Sequence, residues 1–178
     1  MKLQEKFLSL GKQARGIPPA NPVYFGKPVD SIIIHWIGPY PKQSVVIPWQ
    51  WWEDGPDKKG VKASAHFIVK GEDVLQALPL NEVGWHSGDS RNFTSIGIEV
   101  IPMNEAGEFA PDTIKTLKEL VQFIRKTYPK TELTRHFDGV QKKDCPKFYT
   151  PLAKDGNQGD ERWIALRNYL DDVTDSFV

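Results

Sequence analysis

Only one cysteine, Cys145, occurs in 178 residues, so no disulfide can form within the chain and its stability must come from packing, with or without a metal. Neither charge is in excess. The 23 Lys and Arg residues equal the 23 Asp and Glu residues, which removes the basic surplus of a protein that grips nucleic acid through its phosphates. Local contact with an anionic polymer is still compatible with that balance. Long apolar runs are missing too. The strongest, Ile32-Ile33-Ile34 and its neighbours, falls far short of the roughly 20 residues a membrane-spanning helix needs, so no membrane insertion is expected. Charge at Lys2, Glu5 and Lys6 breaks the first residues before a leader-like apolar core can develop. The expectation is synthesis in the cytoplasm without a signal peptide. Repeats, low-complexity tracts and internal linkers are absent as well.

What is present, with 39% hydrophobic and 26% charged residues, suits one α/β domain over residues 1–178, a central mixed β-sheet flanked by helices. Leu3, Phe7 and Leu10 recur at helical spacing, and Gly11, Gly16, Pro18, Pro19 and Pro22 follow. The spacing predicts a short helix and then an extended arm over residues 1–27, wrapping a core formed by residues 28–172. Residues 31–36 are β-branched and bounded by turn formers, which predicts a buried strand with His35 at its carboxyl end, where ligands gather in sheets of this class. Residues 44–53 read as a helix carrying Trp49, Trp51 and Trp52, more readily two core tryptophans and a half-buried third than a sugar platform. A hairpin is expected over 65–78 and a second buried strand over 94–101, whose period of two puts Gly97, Glu99 and Ile101 on one face. Ile114, Leu117, Val121 and Ile124 mark an amphipathic helix that starts near Pro111 and ends before Pro129. Residues 133–136 suggest a short strand, and Trp163, Leu166, Tyr169 and Leu170 a last helix from Asp160. Residues 174–178 resemble a boundary or the start of a linker.

Chemistry concentrates at His35, His136 and Cys145, two imidazoles and a thiol at strand ends or in the loop after one. Three protein ligands with the fourth position left to water is the catalytic zinc pattern, whereas a structural site would close with a fourth Cys or His. Two neutral imidazoles and a thiolate leave a divalent ion with a formal charge of about +1, enough to acidify water and polarise a carbonyl. Spacing alone is weak support, because neither His-Glu-x-x-His nor Cys-x-x-Cys occurs. Glu99, beside a glycine that clears space, and Lys143, two residues before Cys145, add a general base and a cation to the constellation. Their bland counterparts are a salt-bridged strand acid and a solvated loop charge.

Ser31 through His35, Ala65-His66-Phe67, Gly84-Trp85-His86-Ser87-Gly88, Ser95 through Glu99, and His136 through Lys143-Asp144-Cys145-Pro146 occur in one order. This combination resembles the zinc-dependent N-acetylmuramoyl-L-alanine amidases of the type-2 amidase and peptidoglycan-recognition-protein superfamily, which includes many phage endolysins. The resemblance covers about residues 28–172. It implies one zinc ion on His35, His136 and Cys145, with Glu99 and Lys143 at the catalytic positions, acting on the glycan and stem peptide of bacterial peptidoglycan. Two departures stand out. Eight residues separate His136 from Cys145, one more than in several relatives, so that loop should bulge. Ala65 stands where some members carry a catalytic tyrosine, which leaves Glu99 as the leading base. Trp85 and His86 are expected to line the substrate groove, with Arg91 and Asn92 as partners for peptide carboxylates. His66 reads as a supporting or surface residue rather than a ligand.

Other readings remain open on the sequence. A cysteine peptidase would use Cys145 as nucleophile with His136 or His86 as base. A non-catalytic peptidoglycan-binding module would share the fold. The amidase reading itself divides between a phage endolysin or autolysin, acting on the wall after release, and a cytosolic enzyme that recycles muropeptides. A monomer is expected in each case.

Overall fold

The computed structural model describes residues 1–10, 13–15, 23–38, 42–55, 63–139, 143–153 and 158–172. Its six strands are β1 (Lys2–Glu5), β2 (Ser31–Trp36), β3 (Phe67–Lys70), β4 (Asp73–Gln76), β5 (Ser95–Val100) and β6 (Glu132–Arg135). The helices are α1 (Val46–Asp54), α2 (Pro111–Arg125), the single turn α3 (His136–Gly139) and α4 (Gln158–Asp171). The strands form one mixed sheet in the order β1-β4-β3-β5-β2-β6, parallel everywhere except the β3–β4 hairpin.

Alternation along the central strands divides the interior into two layers. Ile32, Ile34, Phe67, Val69, Ile96, Ile98 and Val100 face α2 and α4, where Leu117, Leu120, Val121, Leu166 and Leu170 complete the larger core. Pro111 opens α2, where its missing N–H costs no hydrogen bond, and the apolar stripe that follows is the one its sequence spacing predicts. On the opposite face Ile68, Leu75 and Ile101 pack with Trp49 and Trp52 of α1. This second layer is thinner, and it is the one that holds the chemistry. Parallel pairing of β2 with β5 sets His35 beside Glu99 and Ile33 beside Gly97, so His35, Gly97 and Glu99 all lie on the α1 face.

The N-terminal segment departs from its predicted helix. Residues 2–5 form edge strand β1, in register with β4, and Lys6 and Leu8 continue the pairing by donating to the carbonyls of Gln76 and Ala77. An eight-residue helix is marginal in water, whereas an open sheet edge satisfies the same backbone groups at once. Leu8, outside the apparent helical stripe, is buried, while Phe7 and Leu10 of that stripe are exposed. The arm is described in part: Val83 N–H donates to the Val23 carbonyl, and Arg15 makes a two-pronged ion pair with buried Glu82. The rest of the expected arm, residues 140–142 of the loop expected to bulge between His136 and Cys145, and the expected boundary at 174–178 lie outside the described residues.

His66 shows how polar atoms are settled beneath the site. Its Nε2–H donates to the Glu82 carbonyl at 2.8 Å and its Nδ1 accepts from Gly97 N–H at 3.1 Å, so both ring nitrogens are committed and the neutral tautomer is imposed. Burial lowers its pKa from 6.5 to about 4. Because the unfolded chain takes up a proton near pH 6.5 and the folded chain only near 4, the His66 contribution is fully present above pH 6.5. It is lost as the pH falls through that window, by on the order of 3 kcal/mol. Urea unfolding at a series of pH values is expected to show H66Q less stable than the parent at pH 7 but with a shallower decline between pH 6.5 and 4. Parallel curves would contradict this assignment.

Candidate metal centre and active-site cavity

His35 comes from the carboxyl end of β2, His136 from the junction of β6 and α3, and Cys145 from the loop after α3. The structure brings all three together, buried, with one ligand atom of each inside a 4.8 Å span. His35 Nδ1 lies 2.9 Å from His136 Nδ1 and 3.7 Å from Cys145 Sγ. These separations suit three bonds of about 2.0–2.3 Å from two nitrogens and a sulfur to one ion. The Cys145 loop is pinned by local bonds: Trp36 Nε1–H donates to the Asp144 carbonyl, Phe137 N–H to the Cys145 carbonyl, and the Thr150 hydroxyl to the Asp144 carboxylate.

Proton bookkeeping around the two rings favours a cation between them. Ser95 Oγ–H donates to the Arg91 carbonyl, so at the 3.4 Å contact with His86 it must accept from Nε2–H. Neutral His86 then presents a bare Nδ1, which accepts His35 Nε2–H at 3.0 Å. His136 Nε2–H donates to the Ser87 carbonyl at 2.8 Å. Both Nδ1 atoms are thereby left as lone pairs facing each other. Burial lowers the pKa of both rings, so neither is protonated near neutrality to relieve that contact. Outer hydrogen bonds that fix the tautomer of ligating histidines are what a metal site requires. The donor set therefore fits a borderline-soft divalent ion.

Glu99 stands beside this group. Its residue is half-buried, yet its Oε2 is sealed from water without a hydrogen-bond partner among the described residues. Burial raises its pKa to about 8, against the lowering pull of the Lys143 ammonium. Lys143 is exposed at the rim. Burial, reinforced by the nearby Glu99 charge, pushes the Cys145 thiol up, so without a cation it holds its proton. A cavity of about 840 Å³ opens over the centre, lined by His35, Glu99, His136, Lys143 and Cys145 on one side and by residues of α1 on the other.

The four residues expected to bind substrate take different places. Trp85 lines the cavity, half-buried and packed edge-on against Phe93. His86 also borders it, but its ring nitrogens are occupied in the chain that orients His35. Gly97 makes room for that ring: a Cβ there would lie 2.5 Å from His86 Cγ. The glycine next to Glu99 thus clears space for His86. Arg91 and Asn92 are not in the cavity wall. Asn92 Oδ1 accepts from the amides of His86 and Ser87, and Arg91 reaches the carbonyls of Arg135 and His136 across Gly139, where a Cβ would collide with its guanidinium. Asn92 thus braces the loop that carries His86 and Ser87, and Arg91 holds the segment that carries His136. No direct sign of these supports is legible in the sequence; the glycines at 97 and 139, read as close-approach positions, are the available signal. Ala65 is fully buried outside the cavity wall.

The chain is 49% identical over 63 residues to the N-acetylmuramoyl-L-alanine amidase XlyA of Bacillus subtilis (strain 168), a stretch covering 30% of this chain and 21% of that protein. It is 28% identical over 108 residues to the amidase BlyA of the same organism, covering 48% of this chain and 29% of BlyA. The matched stretches thus span less than a third of these relatives. A solved structure described as a mutant endolysin from Bacillus subtilis superposes with a TM-score of 0.70 at 24% identity, covering 96% of this chain and 99% of that one, a likeness of fold. The sequence profile described as N-acetylmuramoyl-L-alanine amidase matches residues 25–148. That span exceeds half the chain and includes His35, Glu99, His136, Lys143 and Cys145, and on this match the chain belongs to the N-acetylmuramoyl-L-alanine amidase family.

Proposed function

We propose that this chain hydrolyses the amide between the lactyl group of N-acetylmuramic acid and L-alanine in bacterial peptidoglycan, with one zinc ion held by His35, His136 and Cys145. The observation that carries the reading is the pair of buried, mutually facing Nδ1 lone pairs with Cys145 Sγ beside them and an unpartnered carboxylate oxygen at Glu99. Zinc in such a site supplies a Lewis acid and makes water more acidic.

The chain's own groups divide the remaining work. Glu99 takes the proton of the attacking water and returns it to the nitrogen of the departing alanine. Burial raises its proton affinity, which strengthens it as the acceptor once it is ionised. Lys143, at the cavity rim, opposes the negative charge that develops on the carbonyl oxygen. His86, Ser95, Ser87 and Arg91 keep the ligand rings aimed.

Two observations weigh against the competing readings. A cysteine nucleophile needs a lowered thiol pKa, and here burial and Glu99 raise it. A purely binding module has no need of a complete ligand triad beside an orphaned carboxylate. Endolysins among the structural relatives, such as the Ph2119 endolysin from a Thermus scotoductus bacteriophage, favour action on the intact wall after release over recycling of soluble muropeptides. No described helix is long and apolar enough to cross a membrane. On this reading the protein works as a monomer on glycan and stem peptide, without nucleic acid.

Three outcomes test this. E99Q should retain about one zinc per chain by metal analysis while kcat falls on the order of 10²- to 10⁴-fold; near-parental turnover would place the base elsewhere. C145S should lose zinc on dialysis, and EDTA should abolish parental activity with zinc restoring it, whereas a thiol enzyme would survive EDTA and die on alkylation. H86Q should weaken zinc about 10- to 100-fold in a chelator competition, because the outer partner of His35 is altered; unchanged affinity would remove His86 from its positioning role.

A further inference from the structure

The turns of α1 alternate in a way the core does not require. Pro48, Trp49 and Trp52 are buried, while Ile47 and Trp51, one helical turn apart on the same stripe, are 55% and 53% exposed. A solvent face of a short helix ordinarily carries polar side chains at such positions. Here both residues line the cavity that holds the metal centre. Gln43, just before the helix, joins the same wall. Its backbone carbonyl is fixed by Lys70 Nζ at 2.7 Å, and its Nε2 is sealed from water with no hydrogen-bond partner among the described residues.

Among the described residues the α1 side of the cavity is apolar, aromatic and uncharged, and the cation that lines the cavity, Lys143, belongs to the Cys145 loop instead. A stem peptide bearing carboxylates finds no counter-charge along α1. A pyranose ring suits such a wall, since it offers a flat face of C–H groups to an indole. We propose that Trp51 and Ile47 form the glycan subsite, with a substrate sugar ring stacked on Trp51. The assignment rests on the amidase reading for the identity of the substrate, and it makes Trp51 a binding residue that discriminates sugar-bearing from sugar-free substrates.

The test uses the zinc-loaded chain with a peptide-free probe, the β-1,4-linked tetramer of N-acetylglucosamine, in calorimetric titrations. Kinetics are measured in parallel on a muramyl peptide and on the same peptide acylated by lactate alone. W51A is expected to weaken tetramer binding about tenfold and to raise KM for the muramyl peptide by a similar factor, leaving kcat and the lactyl peptide little changed. W51F, which keeps a ring, should retain most of the affinity. Since Trp51 is half exposed, loss of fold is not expected, and circular dichroism of W51A checks it. A parent that does not bind the tetramer, a W51A variant that binds it as the parent does, or equal damage to both substrates would each overturn the subsite. Tetramer binding that depends on Trp51 in a chain that cleaves neither substrate would uphold the subsite and remove the amidase reading.

Discussion

Two imidazole nitrogens 2.9 Å apart, each with its proton held on the far side of its ring, repel unless a cation joins them. The rest of the site can be understood as the apparatus that imposes this arrangement. Ser87 fixes the tautomer of His136 directly, and the relay from the Arg91 carbonyl through Ser95 and His86 fixes that of His35. Arg91 contributes twice, once through its carbonyl and once through a guanidinium that holds the His136 carbonyl. Loop 84–93 therefore acts on both candidate ligand rings, although neither ring belongs to it.

The sheet supplies the framework for that loop. Parallel pairing of β2 with both β5 and β6 brings three chain segments to one carboxyl edge, and the period of two sends His35 and Glu99 to the same face. The thick layer under α2 and α4 carries the main hydrophobic packing, so the thinner α1 layer can tolerate buried polar groups and an open cavity. His66 and Arg15 extend the polar network beneath the cavity, linking β5 to the 82–85 segment and that segment to the N-terminal region. His66, Arg15 and Glu82 there have partners that suit their neutral or paired state, in keeping with the cost of leaving a buried polar group unsatisfied.

Much of this was legible in the sequence because the informative signals were local. The β-branched run at 31–36, the Pro111 start and the stripe from Leu117 to Ile124 each specify an element through nearest neighbours, and the structure has them. The His35, His136 and Cys145 group was visible as residue types at strand ends, and its meeting in space depended on strand order, which spacing cannot give. The first ten residues misled because Leu3, Phe7 and Leu10 mimic a helical stripe, while the deciding factor, the open edge of β4, lies about 70 residues away. His86, Arg91 and Asn92 illustrate a different limit. Polar side chains in a glycine-flanked loop near a site look alike in sequence whether they face the substrate or brace the ligands, and only their hydrogen-bond partners separate the two.

The central claim is that one zinc ion binds between two Nδ1 atoms and one thiolate while keeping a position for water. X-ray absorption at the zinc edge on the purified, zinc-loaded chain measures this directly. The account predicts a four-coordinate ion with one sulfur near 2.3 Å and three nitrogen or oxygen neighbours near 2.0–2.1 Å. A first shell without sulfur, or a six-coordinate shell of oxygen atoms alone, would contradict it.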